Sequence, residues 1–425
     1  MSPDQVHADA PENRPLEPNL LERSLLDDPF TYIDGLHKDQ RAVFVPSLGA
    51  WLVAGHADCM QVLGDPVSFS SEPFDAPGLM ANFASEYVPI YTQAGVPPPI
   101  PTLVTTDSSV HRRYRGAVDR SFNAGSVRAM DGEIRTLVDH LIDQFIDDGR
   151  VDLYSAFCMT LPLYLICDII GMPRDQAPLL RRSANAQARL AGGAAETPED
   201  RVALHRDQAE FHAYLMPLIA ARRADPDEKL LSRLIHTPTD DGTLLSDAEL
   251  CSIVSTLNVG GNETTTNGLG SMFWRCVTDP AQQDALRADR KTIDRFIEET
   301  LRLETPVAAM PRWVYRDAMI GDVAVPAGSA ILVSFQGANR DPAAYGCPAH
   351  IDTARTGIRN HLAFGKGPHF CLGAMLSRAE LNIALNRVLD RMDNIRLDPA
   401  AGPVVHQRKI TVRGLSALPI LFDRA

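Results

Sequence analysis

Apolar positions recur every three or four residues along most of this chain, the spacing of helices that bury one face. The stretch DGEIRTLVDHLIDQFIDDG, residues 131–149, is the clearest case, and helical spacing extends over residues 111–223. After a break at Gly192 and Gly193, Thr197-Pro198-Glu199-Asp200 supplies the cap, first-turn proline and acidic first turn of a new helix. Two helices joined by that glycine loop are expected to move as a lid. Ser246 with Glu249 forms a capping box, and no proline interrupts the text from there to Pro280. At 1.5 Å per residue, roughly 30 helical residues span about 45 Å, enough to cross a molecule of this size. A further helix is expected near residues 290–303 and a last one directly after Cys371.

Strand-like text is sparser. Residues 30–71 alternate short β-branched runs (AVFVP, AWLVAG) with the amphipathic HADCMQVLGD, which predicts a small sheet with a helix. AMIGDVAVPAGSAILVSF, from 318, and VVHQRKITVRGLSALPILF, from 404, read as strands. Residues 72–104 are proline-rich and without period, as in a binding loop or lid. The sum is a mainly α protein with a minor β region. No repeat and no long linker divides it, although 425 residues exceed the usual size of one core. Residues 1–20 read as a flexible tail, and 21–425 as the folded part.

A hydrophobic fraction of 45% rules out a disordered chain, and a net charge of -13 disfavours a nucleic-acid partner. The seven cysteines form no CxxC pair, so a reduced, cytoplasmic protein is expected. The N-terminus lacks a basic start followed by an apolar run. Leu161 to Ile170 is broken by Pro162 and Asp168 and falls short of the ~20 residues that cross a bilayer, so no membrane anchor is expected.

One cysteine stands out. His361-Leu-Ala-Phe364-Gly365-Lys366-Gly367-Pro368-His369-Phe370-Cys371-Leu372-Gly373 runs directly into the helical text AMLSRAELNIALNRVLDRM. Glycines let backbone amides approach an anion, and the helix places its positive end near the sulfur; both effects favour thiolate over thiol. The run FGKGPHFCLG resembles the heme-binding loop of the cytochrome P450 superfamily. That resemblance implies heme b (iron protoporphyrin IX) with Cys371 as metal ligand, and Phe364, Gly365 and Gly373 around it. It implies a single large domain, a triangular prism of helices around the heme, and covers nearly the whole chain.

Other segments fit the same family. Glu299-Thr300-Leu301-Arg302 resembles its glutamate-x-x-arginine element, and Asp352-Thr353-Ala354-Arg355 the segment giving a third member. Glu299, Arg302 and Arg355 are therefore expected to form a structural network behind the heme. In the long helix, Gly260-Gly261-Asn262-Glu263-Thr264 resembles the oxygen-binding groove, with Glu263 and Thr264 as the catalytic acid and alcohol that deliver protons. His111, Arg115, Arg312 and His369 fit the positions that neutralise the heme propionates. By the same resemblance Leu257, Gly260, Gly261, Val307, Ala308, Ala309 and Met310 line the substrate pocket. No basic side chain in those segments awaits a carboxylate, so an uncharged apolar substrate is expected.

The implied activity is a monomeric monooxygenase using O2 and electrons from a separate ferredoxin with its reductase, since no nucleotide-binding glycine motif follows a strand. Arg112, Arg113, Arg120, Lys366 and Arg378 are candidates for a basic docking patch. The competing readings are a peroxide-driven peroxygenase, which needs no acid–alcohol pair, and a non-catalytic heme sensor.

Overall fold

The computed structural model describes residues 28–39, 42–73, 87–191, 197–407 and 409–425. The expected tail, residues 74–86 of the proline-rich loop and the Gly192–Gly193 break lie outside the described residues. Among these the chain is mainly helical, with three small sheets. Its N-terminal part comprises α1 (Phe30–Asp39), β1 (Ala42–Val45), β2 (Ala50–Val53), α2 (His56–Gly64), β3 (Phe69–Ser70) and α3 (Val88–Gln93). Helices α4 (Ser108–Asp119), α5 (Asp131–Asp143), α6 (Thr160–Ile170), α7 (Ala177–Ala191) and α8 (Pro198–Ala224) follow, with β4 (Arg150–Asp152) between α5 and α6. Thr197 caps α8 by accepting from the Asp200 N–H at 3.1 Å.

The centre is α9 (Asp247–Val277), 31 residues started by the Ser246–Glu249 capping box. It is flanked by α6 and α7 and, on another side, by α11 (Ile293–Leu303) and α12 (Ala374–Arg391), with α10 (Pro280–Ala288) at its end. Glycines make these approaches close. A Cβ on Gly270 would stand 2.8 Å from the Tyr154 ring, and one on Gly261 would stand 3.3 Å from Ile166 of α6. The helices share one large apolar core that includes Ile134, Phe157, Leu269, Phe273, Phe296 and Leu381.

The larger sheet has the order β1-β2-β8-β5-β3, with β5 (Ala309–Val314) and β8 (Ala330–Ser334); only the β2/β8 pairing is parallel. It carries its own core around Val53, Val314, Ile331 and Val333. A two-stranded ribbon joins β6 (Ala318–Ile320) to β7 (Val323–Val325), and β4, β10 (Pro419–Arg424) and β9 (Met392–Leu397) form the third sheet. The described residues of 404–418, a stretch expected as strand, make isolated bridges, Val307 with Val412 and His406 with Leu415. No described helix is long and apolar enough to cross a membrane.

Candidate active site

Cys371 lies three residues ahead of α12 in a loop folded by its glycines. Gly365 and Gly367 take φ of 67° and 72°, which L side chains rarely adopt. A Cβ on Gly367 would also run into the Leu63 carbonyl of α2. The Cys371 N–H donates to the Phe364 carbonyl at 2.9 Å, closing the loop on itself. Burial pushes the Cys371 thiol up, while the Gly373 N–H, Arg115 and Arg378 pull it down. Six other cysteines are free too, but five are fully buried without such a loop, and Cys347 is exposed.

The three residues assigned to a network meet in one buried cluster. Arg302 donates from Nε and Nη2 to the two Glu299 oxygens at 2.7 and 2.9 Å, and Arg355 Nε adds a bond to Glu299 at 3.0 Å. The Asp352 N–H donates to the same carboxylate at 2.8 Å. Burial opposes the charge on Glu299, but these donors outweigh it and hold its carboxyl below the ordinary range.

The four expected anion contacts divide. Arg312 on β5 is buried, and no carboxylate lies within ion-pairing distance among the described residues; its guanidinium donates to the Pro311 carbonyl, and burial lowers it to about 10. His111 is buried beside the His369 ring, 4.3 Å between centroids. Burial first, then His369 and Arg115, lower it to about 4, so it is a neutral donor near pH 7 rather than a cation. Arg115 is taken by Asp119 at 2.6 Å and the Phe370 carbonyl at 2.8 Å. His369 Nε2 is 2.8 Å from Asp107, which also accepts from Ser70 and the Ser71 N–H, both at 2.6 Å. Asp107, the α4 N-cap position, was not among the residues expected from sequence.

Along α9, burial is interrupted where the glycines fall: Gly260 is exposed and Val259, Gly261, Glu263 and Thr264 are half-buried in a helix otherwise largely covered. Open space therefore borders the centre of the molecule on the Gly260 side, whereas Gly261 serves the contact with α6. The helix stays continuous there, and the Thr264 hydroxyl donates back to the Gly260 carbonyl at 2.7 Å. Glu263 pairs with Lys409 of the C-terminal segment, a basic residue that the sequence reading overlooked. The acid and the alcohol are thus adjacent but each is bonded elsewhere.

Leu257 packs in the helical core and Val307 and Met310 against the sheet core. Ala308 donates to the Thr411 carbonyl at 2.8 Å, and Ala309 lines a recess with Tyr32, Gln407, Lys409 and Ile410. Of the docking candidates, Arg112, Arg120 and Lys366 are exposed. Arg113 instead pairs with Asp241 and Glu249, and Arg378 with Glu298, so both are committed inside the chain.

A buried cation with no carboxylate at ion-pairing distance among the described residues, a neutral histidine donor and a sulfur capped by a backbone amide fit an anionic, metal-bearing cofactor such as heme. Comparisons agree. The Cytochrome P450 family profile matches residues 198–398. Cytochrome P450 monooxygenase PikC of Streptomyces venezuelae is 33% identical over 88% of this chain and 85% of its own length. The 6-deoxyerythronolide B hydroxylase of Saccharopolyspora erythraea is 31% identical over 88% and 90%. The structure of cytochrome P450 CYP109Q5 from Chondromyces apiculatus superposes with a TM-score of 0.83 at 26% identity, over 96% of this chain and 98% of that one. The chain belongs to the cytochrome P450 family, and it is a heme-dependent monooxygenase of the bacterial type.

Proposed function

We propose that Cys371 ligates the iron of heme b and that the enzyme inserts one oxygen atom of O2 into an uncharged apolar substrate. The observation that carries this is the Cys371 loop, whose positive-φ glycines and Gly373 amide present one sulfur at the head of α12. Bound there, heme supplies dioxygen activation, with the thiolate favouring O–O cleavage. Cys371 would hold the iron as its thiolate, against the burial that raises the free thiol here. Arg312 offers a buried positive charge and His111 a neutral N–H to the propionates, while Glu299, Arg302 and Arg355 hold the loops behind. Thr264 moves a proton at its hydroxyl once that group leaves the Gly260 carbonyl, and Glu263 resupplies it once it leaves Lys409. Gly260, Val307, Ala308 and Met310 keep the pocket apolar.

Electrons come from a separate ferredoxin and its reductase, docking near Arg112, Arg120 and Lys366. The enzyme acts as a cytoplasmic monomer with a single domain. The names of two relatives, the hydroxylase above and Polyketide biosynthesis cytochrome P450 PksS of Bacillus subtilis, make 6-deoxyerythronolide B and other polyketides the first compounds to screen. The test is the reduced carbon monoxide complex: a thiolate-type Soret band lost in Cys371→Ala supports the assignment, and one retained refutes it. The separate engagement of Glu263 and Thr264 favours one second reading, a peroxide-driven enzyme. Product formed with peroxide but not with ferredoxin, reductase and NADH would select it.

A further inference from the structure

Beside the Glu299 cluster lies a second buried charge cluster, centred on Glu298. Neighbouring helix positions stand about 100° apart, so two consecutive glutamates of α11 serve different partners. Arg378 of α12 donates from Nε and Nη2 to the two Glu298 oxygens at 2.6 and 3.0 Å, a bidentate fork. His361 Nε2 lies 2.8 Å from Glu298 Oε2. The Ala363 N–H donates to His361 Nδ1 at 3.2 Å, so Nε2 carries the proton and donates to the carboxylate. His361 and Arg378 hold the Glu298 carboxyl down to about 2 even though burial, the largest influence, pushes it up.

The cluster reaches the sulfur by a short chain. The Arg378 guanidinium lies 4.3 Å over the Phe364 ring, and the Phe364 carbonyl accepts the Cys371 N–H. The Arg378 charge thus sits against the residue whose carbonyl closes the cysteine loop. We propose that Glu298 is a positioning residue for the metal-ligating sulfur: it fixes Arg378 over Phe364 and offsets the positive field that Arg378 exerts on Cys371. The inference rests on Cys371 being the heme ligand, and it predicts effects of opposite sign.

The experiment measures the ferric/ferrous midpoint potential of heme-loaded wild type, Glu298→Gln, Arg378→Gln and the double variant. Positive charge near the sulfur stabilises the added electron, so Glu298→Gln shifts the potential up and Arg378→Gln shifts it down. The double variant returns toward wild type. A merely structural cluster would lower heme retention in both single variants with potentials unmoved or moved in one direction, and that result overturns the proposal. Where Glu298→Gln does not fold, Glu298→Asp keeps the charge and shortens its reach. A carbon monoxide Soret band displaced to shorter wavelength then supports the positioning role, and an unchanged band overturns it. A wild-type protein without a thiolate-type band would instead remove the Cys371 assignment itself, and the proposal with it.

Discussion

Arg302 is the largest fully buried side chain of the described residues, and all five of its N–H donors are used. Nε and one Nη2 proton bind Glu299; the others reach the carbonyls of Asn339 at 2.9 Å, Pro348 at 2.7 Å and His350 at 2.9 Å. Lysine keeps the charge but has three donors, so Arg302→Lys loses at least two of these five buried bonds. Each costs about 1–3 kcal/mol, for a sum on the order of 2–6 kcal/mol. Total stabilities are about 5–15 kcal/mol, so Arg302→Lys consumes much of the margin. Arg302→Met goes further, because Glu299 then keeps Arg355 as its one cation, and breaking a buried pair costs about 3–5 kcal/mol. Urea unfolding followed by far-UV circular dichroism and by Soret absorbance checks both, since heme loss and chain unfolding then separate. An Arg302→Lys protein within about 1 kcal/mol of wild type by both probes would refute the donor count as the source of stability.

Arg312→Gln should stabilise the apoprotein, by removing a buried cation without a carboxylate, yet weaken hemin binding roughly tenfold or more, as loss of a charge-assisted bond implies; melting of the apoprotein and hemin transfer to an acceptor globin read the two signs. Gly365→Ala should cost about 1–2 kcal/mol for its left-handed backbone alone, and Gly367→Ala distinctly more because of the Leu63 carbonyl; equal midpoints in thermal unfolding would contradict the clash. The Asp107 carboxyl is lowered to about 2, because the bonds from His369, Ser70 and Ser71 outweigh burial. Its stabilising contribution is complete above the unfolded value near 3.9 and disappears as pH falls toward about 2, so Asp107→Asn should flatten the stability–pH curve within that window and not above it. Lys409→Ala should change stability by less than about 1 kcal/mol, since its pair with Glu263 is partly exposed; a larger loss in calorimetry would show that the pair holds the C-terminal segment down.

Most helices were legible because their signals are local. The Thr197 cap, the Ser246–Glu249 box and the three-and-four spacing of α5 need nothing from the rest of the chain. What escaped depends on distant partners. Strand β4 is three residues long and exists through pairing with β10, some 270 residues onward by their numbers. Residues 404–418 carry strand-like side chains, but their backbone groups go to single acceptors, as when Arg413 donates to the Pro306 carbonyl and Gln407 to that of Gly414. Helix α1 was missed because Gly35 weakens its pattern.

The site follows the same division. Cys371 and its glycines, the Glu299–Arg302 pair and the Gly260 to Thr264 run sit within short motifs, and their resemblance to the family singled them out. Their partners do not follow from spacing, because carboxylates and cations are brought in from elsewhere: Asp107 to His369, Lys409 to Glu263, Glu298 to Arg378. Arg378 illustrates the consequence. Its position near the cysteine loop suggested a docking cation, but the glutamate one position before the recognised motif takes the Nε–Nη2 edge of its guanidinium, which lies over Phe364. Two identical, adjacent side chains thus differ in partners through helix geometry alone: Glu299 faces Arg302 and Arg355, and Glu298 faces the arginine that lies over Phe364.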